Sequence, residues 1–578
     1  MTILDPTQPT TNNTQKGREA LQDWEASKRH NAYESDTNLQ SVLKFYLGAR
    51  YDSFAPRFQA LGEHVYTTLD NLAREEDRLG NHPRLERWSG IGERLESIVF
   101  HPNHDAAGRI IWETGVMALQ AEPGHTVAQM GLYYLLAQNG EAGHLCSLAC
   151  TSGLIRSLQE AADPALREKY LPPLLDPNFD TMQHGAQFLT EVQGGSDVGA
   201  NAGSAVEQAD GTWRITGEKW FCSNINADQF LMTARVHPEG GTRGLGLFLV
   251  PRRLPDGTLS SFFMRRLKDK LGTRTLASAE LDFTGTVGYA VGPVEKGFKN
   301  AVELVLNTSR LMNAVACAGL MQRASMEART YAMHRTAFGK LLIEYPLVQE
   351  ALADLRAETY AATATSFALA HLVDKIDLGQ ASEQEKAVYR LIVNMNKYST
   401  SISAQQMIHR AIEVLGGNGA IETFSILPRL YRDIVVLESW EGPHNVLCLQ
   451  ILRDALRQDI VPLYSQWLRD QLADIEAKSV TSLIDVVIRH IMFWANHFDF
   501  LKKADEMTQN AYARRWVDDM AWITSMALLM LQANRELQEY GIQPKLDVLV
   551  HYWNRHHPAY DAFADEDYVA RLGRMARA

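Results

Sequence analysis

The chain has 578 residues, 46% of them hydrophobic and 22% charged, the balance of a water-soluble globular protein with several substantial cores. A formal net charge of -12 argues against whole-surface attraction to nucleic acid or anionic membrane and leaves open only a local basic patch. The five cysteines (Cys146, Cys150, Cys222, Cys317, Cys448) form no C-x-x-C pair, so reduced thiols in a cytoplasmic protein are expected rather than a disulfide or zinc framework.

Residues 1–38 are polar and rich in Thr, Asn and Gln, which predicts an arm that is mobile or packs on a neighbouring subunit. No basic segment leads into an apolar core there, so neither a signal peptide nor a lipid anchor is expected. Apolar runs such as Met526 to Leu531 are too short to span a bilayer. Helical periodicity marks the next section, 39–185, with helices expected around Thr37 to Leu47, Ser53 to Leu72, His104 to Met117, Gly124 to Ala137 and Gly143 to Glu160; it reads as helix packed on helix. Cys146 and Cys150, four apart on the last of these, read as core residues.

The texture changes near Gly185. Alternating runs (T-W-R-I-T, F-L-M-T-A-R-V, G-L-G-L-F-L-V, A-S-A-E-L-D-F) are punctuated by Asp210-Gly211, Pro255 to Gly257 and Thr284-Gly285, which predicts hairpins and a compact β-barrel domain over 186–296. Helical periodicity returns for a bundle over 297–457, with helices around Phe298 to Thr336, Pro346 to Lys375, Glu383 to Leu415 and Asn445 to Leu456. The last stretch, 458–578, carries Trp, Leu, Ile and Met at helical spacing and reads as an additional helical domain. The fold class is therefore mostly α with a central β-barrel domain.

Glu441 stands in a break between a helical pattern ending near Arg432 and another starting near Asn445. A carboxylate between Trp440 and Gly442 is a candidate base. The apolar ring disfavours its charged form, and the glycine permits close approach of a second molecule. On spacing alone the helix-cap reading is favoured, because acids in loops commonly cap helices.

Q-F-L-T-E-V-Q-G-G-S-D (Gln187 to Asp197) follows an apolar strand with glycines beside Ser and Asp, a backbone suited to a polar ring edge or pyrophosphate; it is not the G-x-G-x-x-G of a dinucleotide fold. These residues, with G-E-K-W-F-C-S-N (Gly217 to Asn224), H-R-T-A-F-G-K-L-L-I-E-Y-P (His334 to Pro346), E-V-L-G-G-N-G (Glu413 to Gly419) and W-E-G, together resemble the acyl-CoA dehydrogenase family over roughly Gly90 to Asp454. K-D-K-L-G-T-R (Lys268 to Arg274) and L-P-R-L-Y-R (Leu427 to Arg432) look most like its AidB-type, alkylation-response branch, which also carries an extra C-terminal helical domain.

The resemblance implies an FAD-dependent enzyme with Glu441 as catalytic base and no metal. It places Gln187, Leu189, Thr190, Gly195 and Ser196 along the flavin ring, Phe221 on its face and Ser223 at N5. Arg335, Phe338 and Gly417 would reach the pyrophosphate and adenine side from a neighbouring subunit, and Asn445 would be a further flavin contact. Trp440 would shape the acyl pocket or simply pack the core. Arg310 falls where the family has an arginine near the catalytic loop, although a helix-surface salt bridge reads equally well. Three positions depart from the pattern and each loses a hydrogen-bond donor: Pro346 and Glu413 stand for glutamines, and Pro443 for a threonine or serine. The implied partners are an acyl-CoA or other acyl thioester, an acceptor such as an electron-transfer flavoprotein, and further copies of the chain in a homotetramer or dimer. A DNA-associated protective flavoprotein is the alternative. Against it, the basic residues after 458 are outnumbered by acidic ones, while Trp467, Trp494, Trp516, Trp522 and Trp553 suit a packed helical interface. An oxygen-using monooxygenase on the same fold would commonly lack the carboxylate base.

Overall fold

The expected polar arm is a helix, α1 (Asn12–Ser27). In the computed structural model, which describes residues 12–238, 240–557 and 562–578, Trp24 of this helix is buried. Its indole donates to Thr330 Oγ1 at 3.2 Å and stacks on Phe424 with ring centroids 5.0 Å apart. Both partners belong to the bundle of the same chain, so α1 packs at home; residues 1–11 of the expected arm lie outside the described part. Two large apolar side chains, Leu21 and Trp24, are too few in a polar stretch to set a readable period, which is why composition alone points to an arm.

Helices α2 (Thr37–Leu47), α3 (Tyr51–Val65) and α4 (Thr68–Glu76) follow. The single helix expected over Ser53 to Leu72 is broken at Thr67 (φ -124°, ψ -95°), where the buried Tyr66 turns its hydroxyl to Gln138. The first section is also not helix alone. A hairpin of β1 (Arg84–Trp88) and β2 (Arg94–Val99) projects to the barrel, where the buried Glu96 carboxylate accepts the Met264 N–H at 2.9 Å. Its strands are short and rich in arginine and glutamate, which hides them from hydrophobic patterning. Then come α5 (Pro102–Trp112), α6 (Thr126–Ala137) and α7 (Ala142–Glu160), and two short helices, Pro164–Tyr170 and Pro172–Leu175, lead to the barrel. Glu141 caps α7 through the amides of Gly143 and His144 and also accepts from Thr275 Oγ1 at 3.0 Å, tying this section to the barrel.

The barrel strands are β3 (Gly185–Phe188), β4 (Ser204–Glu207), β5 (Trp213–Ser223), β6 (Gln229–Arg235), β7 (Leu245–Pro251), β8 (Phe262–Leu267) and β9 (Ser278–Ala290). Their order is β3-β6-β4-β5-β9-β7, closed by the β6–β7 pairing, with β8 added to β9. Inward-facing Phe188, Phe230, Phe248, Phe262 and Phe283 fill the interior. Thr284-Gly285, expected to end a strand, is instead a bulge within β9: Gly285 (φ 75°) is skipped between the pairs Thr216↔Thr284 and Ile215↔Thr286.

After one π turn (Ala301–Leu306) comes α8 (Asn307–His334), then a short hairpin of β10 (Thr336–Ala337) and β11 (Lys340–Leu341). The bundle continues with α9 (Pro346–Asp377), α10 (Glu383–Leu415), α11 (Leu427–Ser439) and α12 (His444–Arg457). The segment Val294–His334 has the length and hydropathy of a membrane span, longer than any apolar run singled out from the sequence, but 83% of its most apolar window is buried among the other helices. It is the bundle's central helix, covered on most sides, with Arg310, Asn313, Arg323 and Glu327 buried among its apolar residues.

The additional domain comprises α13 (Ile460–Ala473), α14 (Lys478–Lys503), α15 (Glu506–Tyr540), α16 (Pro544–His556) and α17 (Tyr568–Arg577). Trp494 and Trp516 stack at 4.6 Å, each indole donating to the other's backbone carbonyl. Trp467 is buried with them, while Trp522 and Trp553 are half-buried. The domain wraps the bundle: His551 and Arg555 bond Asp354 of α9, and Asp518 of α15 accepts from Tyr398 of α10 at 2.7 Å.

Truncating the buried indole by Trp24→Ala removes both packing and the Thr330 hydrogen bond and is expected to cost about 3–5 kcal/mol. A urea titration followed by circular dichroism checks this; an unchanged midpoint contradicts the docking of α1.

Candidate active site

α11 runs to Ser439, beyond the end expected near Arg432, so the break that carries Glu441 is only Trp440 to Pro443. Glu441 has φ 58° and Gly442 φ 107°. A left-handed glutamate is strained, and it persists because its surroundings hold it. Arg310 of α8 donates from Nε to the Glu441 carbonyl at 2.9 Å, and its Nη1 bonds Asn394 of α10. Lys397 of α10 donates to the carbonyls of Glu438 at 2.8 Å and Gly442 at 3.0 Å. Asn313 of α8 holds the Leu437 carbonyl at 3.1 Å. The bonds to Leu437 and Glu438 satisfy carbonyls that the helix end leaves orphaned, and those to Glu441 and Gly442 fix the turn itself. Arg310 is therefore a buried clamp on the loop, neither a surface ion pair nor a wall of the pocket.

Burial pushes the Glu441 carboxyl above the usual carboxylate range, opposed by the charges of Arg310 and Lys397. Burial in turn lowers the Lys397 ammonium to about 8. An apolar cavity opens beside the carboxylate, walled by Leu145, Cys146 and Cys150 of α7, Leu320 of α8, and Trp440. Trp440 packs on both thiols and on Leu276, and its buried indole N–H has no protein acceptor among the described residues. Cys146 and Cys150 are buried as expected, yet they face this cavity rather than a closed core.

On the barrel, the Gln187 to Ser196 segment runs beside the end of β5, with Trp220 N–H donating to the Thr190 carbonyl at 2.9 Å. Gln187 turns its amide to the Cys150 carbonyl at 3.1 Å, and the Leu189 carbonyl accepts from Asn201. Gly195 and Ser196 are exposed, and a Cβ on Gly195 would lie 3.4 Å from Thr190 Cγ2. Phe221 is 50% exposed, and two residues on Ser223 is half-buried with its Oγ 2.9 Å from Ser278 Oγ. Sequence reasoning missed the ion pair behind this segment: the Glu191 carboxylate takes Lys219 Nζ at 2.8 Å and the Ala202 N–H at 2.7 Å, with both charged side chains buried. Lys219 stands beside the bulge in the β5–β9 register, so its inward direction could not be read from the strand period.

The remaining expected residues lie elsewhere. Arg335 and the fully exposed Phe338 (φ 48°) occupy the β10–β11 hairpin, which contacts α8 and, with the turn after it, α9 and α17. Gly417 is exposed in the 3-10 turn Gly416–Ala420. Asn445 is exposed at the start of α12 and its side-chain amide oxygen accepts from Arg514 of the additional domain at 2.6 Å. Pro443 caps α12 and Pro346 opens α9, places where a missing N–H costs no intrahelical bond. Glu413 is exposed near the end of α10.

Three family profiles match in chain order: the adaptive response protein AidB N-terminal domain over residues 24–181, the acyl-CoA dehydrogenase middle domain over 186–286, and the acyl-CoA dehydrogenase C-terminal domain over 295–456. The putative acyl-CoA dehydrogenase AidB of Escherichia coli is 32% identical over 80% of this chain and 84% of its own length. This chain belongs to the acyl-CoA dehydrogenase family. Acyl-CoA dehydrogenase family member 11 of Caenorhabditis elegans is 31% identical over 73% of this chain and 70% of its own. The crystal structure of that nematode's ACDH-11 in complex with C11-CoA superposes with a TM-score of 0.84 at 27% identity, covering 91% of this chain and 90% of that one. The AidB-type beginning and the additional helices after the bundle thus belong to one architecture within the acyl-CoA dehydrogenase family.

Replacing Lys219 by Met leaves the Glu191 carboxylate buried without its partner and is expected to cost about 3–5 kcal/mol, part of it recovered when Glu191→Gln is added. Denaturant unfolding of the single and double variants checks this, and equal stability of the two contradicts it.

Proposed function

We infer that the protein is an FAD-dependent oxidoreductase that desaturates an acyl thioester between its α and β carbons. The observation that carries this is the Glu441 carboxylate, held on a clamped left-handed turn at an apolar cavity and raised toward neutrality by burial. A base so placed takes the α proton of a chain lying in the cavity. Arg310 and Lys397 keep the turn still and favour the charged form of Glu441. Trp440 and the two thiols shape the wall against the chain and exclude water from the proton transfer.

The residues of the barrel fit a flavin. The exposed ring of Phe221 offers a flat face, and Thr190, Ser196 and Ser223 bring hydroxyls to its edge. FAD, when bound, accepts the hydride that leaves the β carbon. Arg335, Phe338 and Gly417 lie on the bundle, on elements that do not pair with the sheet, so they serve the FAD of a second copy in a homodimer or homotetramer. The electrons then pass to an acceptor such as an electron-transfer flavoprotein, and the cytoplasm is the proposed location.

The purified protein is expected to be yellow with FAD, and some member of an acyl-CoA panel should bleach it under anaerobic conditions. Glu441→Gln keeps the flavin and abolishes the bleaching, because the amide retains shape and loses basicity. Protonation of Glu441 removes the base, so the rate of bleaching in the parent rises with pH through a midpoint above the ordinary carboxylate range. Undiminished bleaching in the glutamine variant would place the base elsewhere.

The additional domain is assigned to packing. Several of its basic side chains are engaged within the protein: Lys502 with Asp499, Arg571 with Asp565, Arg574 with Asp547 and Asp567, and Arg514 with Asn445. Duplex DNA is accordingly expected to bind weakly at physiological salt. Tight, salt-sensitive binding in a fluorescence anisotropy titration, lost on deleting residues after 458, would favour the DNA-associated alternative.

A further inference from the structure

Ser223 does not stand alone at the end of β5. The β5–β9 register sets it opposite Ser278, with the two hydroxyl oxygens 2.9 Å apart, a cross-strand pair of small polar side chains. Ser278 has a second neighbour. Lys270, on the loop between β8 and β9, donates from Nζ to Ser278 Oγ at 3.0 Å and to the Leu276 carbonyl at 2.8 Å.

The loop holds Lys270 there firmly. A Cβ added to Gly272 would fall 2.0 Å from the Arg432 carbonyl oxygen of α11, so only glycine fits. The next residue, Thr273 (φ 51°), donates its backbone N–H to Asp433 Oδ1 at 2.6 Å. Lys270 is thus pinned between the barrel and α11, the helix whose end carries Glu441.

The chemistry of the three groups gives the row a direction. An ammonium has protons to give and no lone pair to receive with, whereas each hydroxyl has one proton and can accept. Ser278 accepts from Lys270, so its own proton is directed to Ser223 Oγ. The Ser223 proton is then left to point outward from the strand end.

We propose that Lys270 is a positioning residue that sets the direction of the hydrogen-bond row Lys270–Ser278–Ser223, so that Ser223 stands as a donor to the ring nitrogen of an oxidised flavin. This rests on the reading of Ser223 as the group at flavin N5. Oxidised N5 is an acceptor, and a donor facing it draws electron density toward the atom that receives hydride. Lys270 touches neither substrate nor flavin and acts through the two serines.

The direction depends on the ammonium being charged. Burial lowers Lys270 to about 8, while Cys146 of α7 and Asp433 of α11, facing it from the elements packed against the loop, favour its charged form; Asp433 is itself raised to about 7 by burial, so a step it causes persists in Lys270→Met. Below that pH the ammonium imposes the direction. Above it the neutral amine can also accept, and Ser223 is released to turn.

The test uses the purified FAD-loaded protein and reads the long-wavelength flavin absorption band between about pH 6 and about pH 10. The parent is expected to show one reversible spectral step as Lys270 loses its proton. Lys270→Met should lose the step, and so should Ser278→Ala, in which the lysine remains but the row is cut. A parent spectrum that is flat across the range overturns the proposal, even if neither variant folds. A step retained in Lys270→Met assigns it to another group and also overturns it. A step retained only in Ser278→Ala means that the lysine acts through space and not through the hydroxyls, which overturns the row. Failure of the parent to hold FAD at all is a separate result, because it refutes the flavin reading of Ser223 itself.

Discussion

The end of one helix is the point on which the rest of the molecule depends. α11 terminates at Ser439, and the carbonyls of its last turn and of the short turn that follows need donors from outside the helix. Asn313, Arg310 and Lys397 supply them from two long helices of the bundle. The same bonds hold Glu441 in a left-handed turn that an unsupported glutamate would not keep. Two of the donors are also cations, so one set of contacts terminates the helix, stores the strain and tempers the rise in the Glu441 pKa.

The barrel meets that helix through a loop with no room to drift. Gly272 lies against the Arg432 carbonyl and Thr273 is bonded to Asp433, so α11 carries Glu441 on its end and the barrel loop on its flank. The hydroxyls at the end of β5 and the carboxylate after α11 are therefore set relative to each other by one helix. Behind the barrel surface, the Glu191–Lys219 pair anchors the segment that runs beside β5. The hydroxyls exposed on the barrel are thus backed by buried charge and strand register, a more precise support than a free loop provides.

Both ends of the chain return to the bundle. α1 docks through Trp24 on α8, α16 bonds Asp354 of α9, and α17 closes over α9 and α8 through the Met575 carbonyl, which accepts from Arg356, and the Ala576 carbonyl, which accepts from Arg329. The additional domain also reaches the neighbourhood of the Glu441 turn, since Arg514 holds Asn445 four residues beyond Glu441 and Tyr398 bonds Asp518. Its tryptophans account for this arrangement: Trp494 and Trp516 form a dry stacked pair with reciprocal hydrogen bonds, which gives a rigid internal layer for the wrap.

By itself, the sequence determined the features whose cause is local. Ser382 and Glu385 form a capping box that starts α10 where the periodicity does, and Asp210-Gly211 turns β4 into β5 because glycine accepts a positive φ. The order of helices, barrel and bundle was legible for the same reason, as was Glu441 beside an aromatic ring and a glycine. The tertiary structure alone decided what depends on residues far apart. The docking of α1 rests on Trp24 meeting Thr330, the role of Arg310 on a carbonyl 131 residues away, and the course of α11 past Arg432 on donors from α8 and α10. The Lys270–Ser278–Ser223 row likewise exists only once β5 and β9 pair in register, and Asn445 found its partner in a domain that the motif did not include. Periodicity reports which face of an element is apolar. It carries no information about which distant polar group that face will bring within hydrogen-bonding distance, and this site is built from such groups.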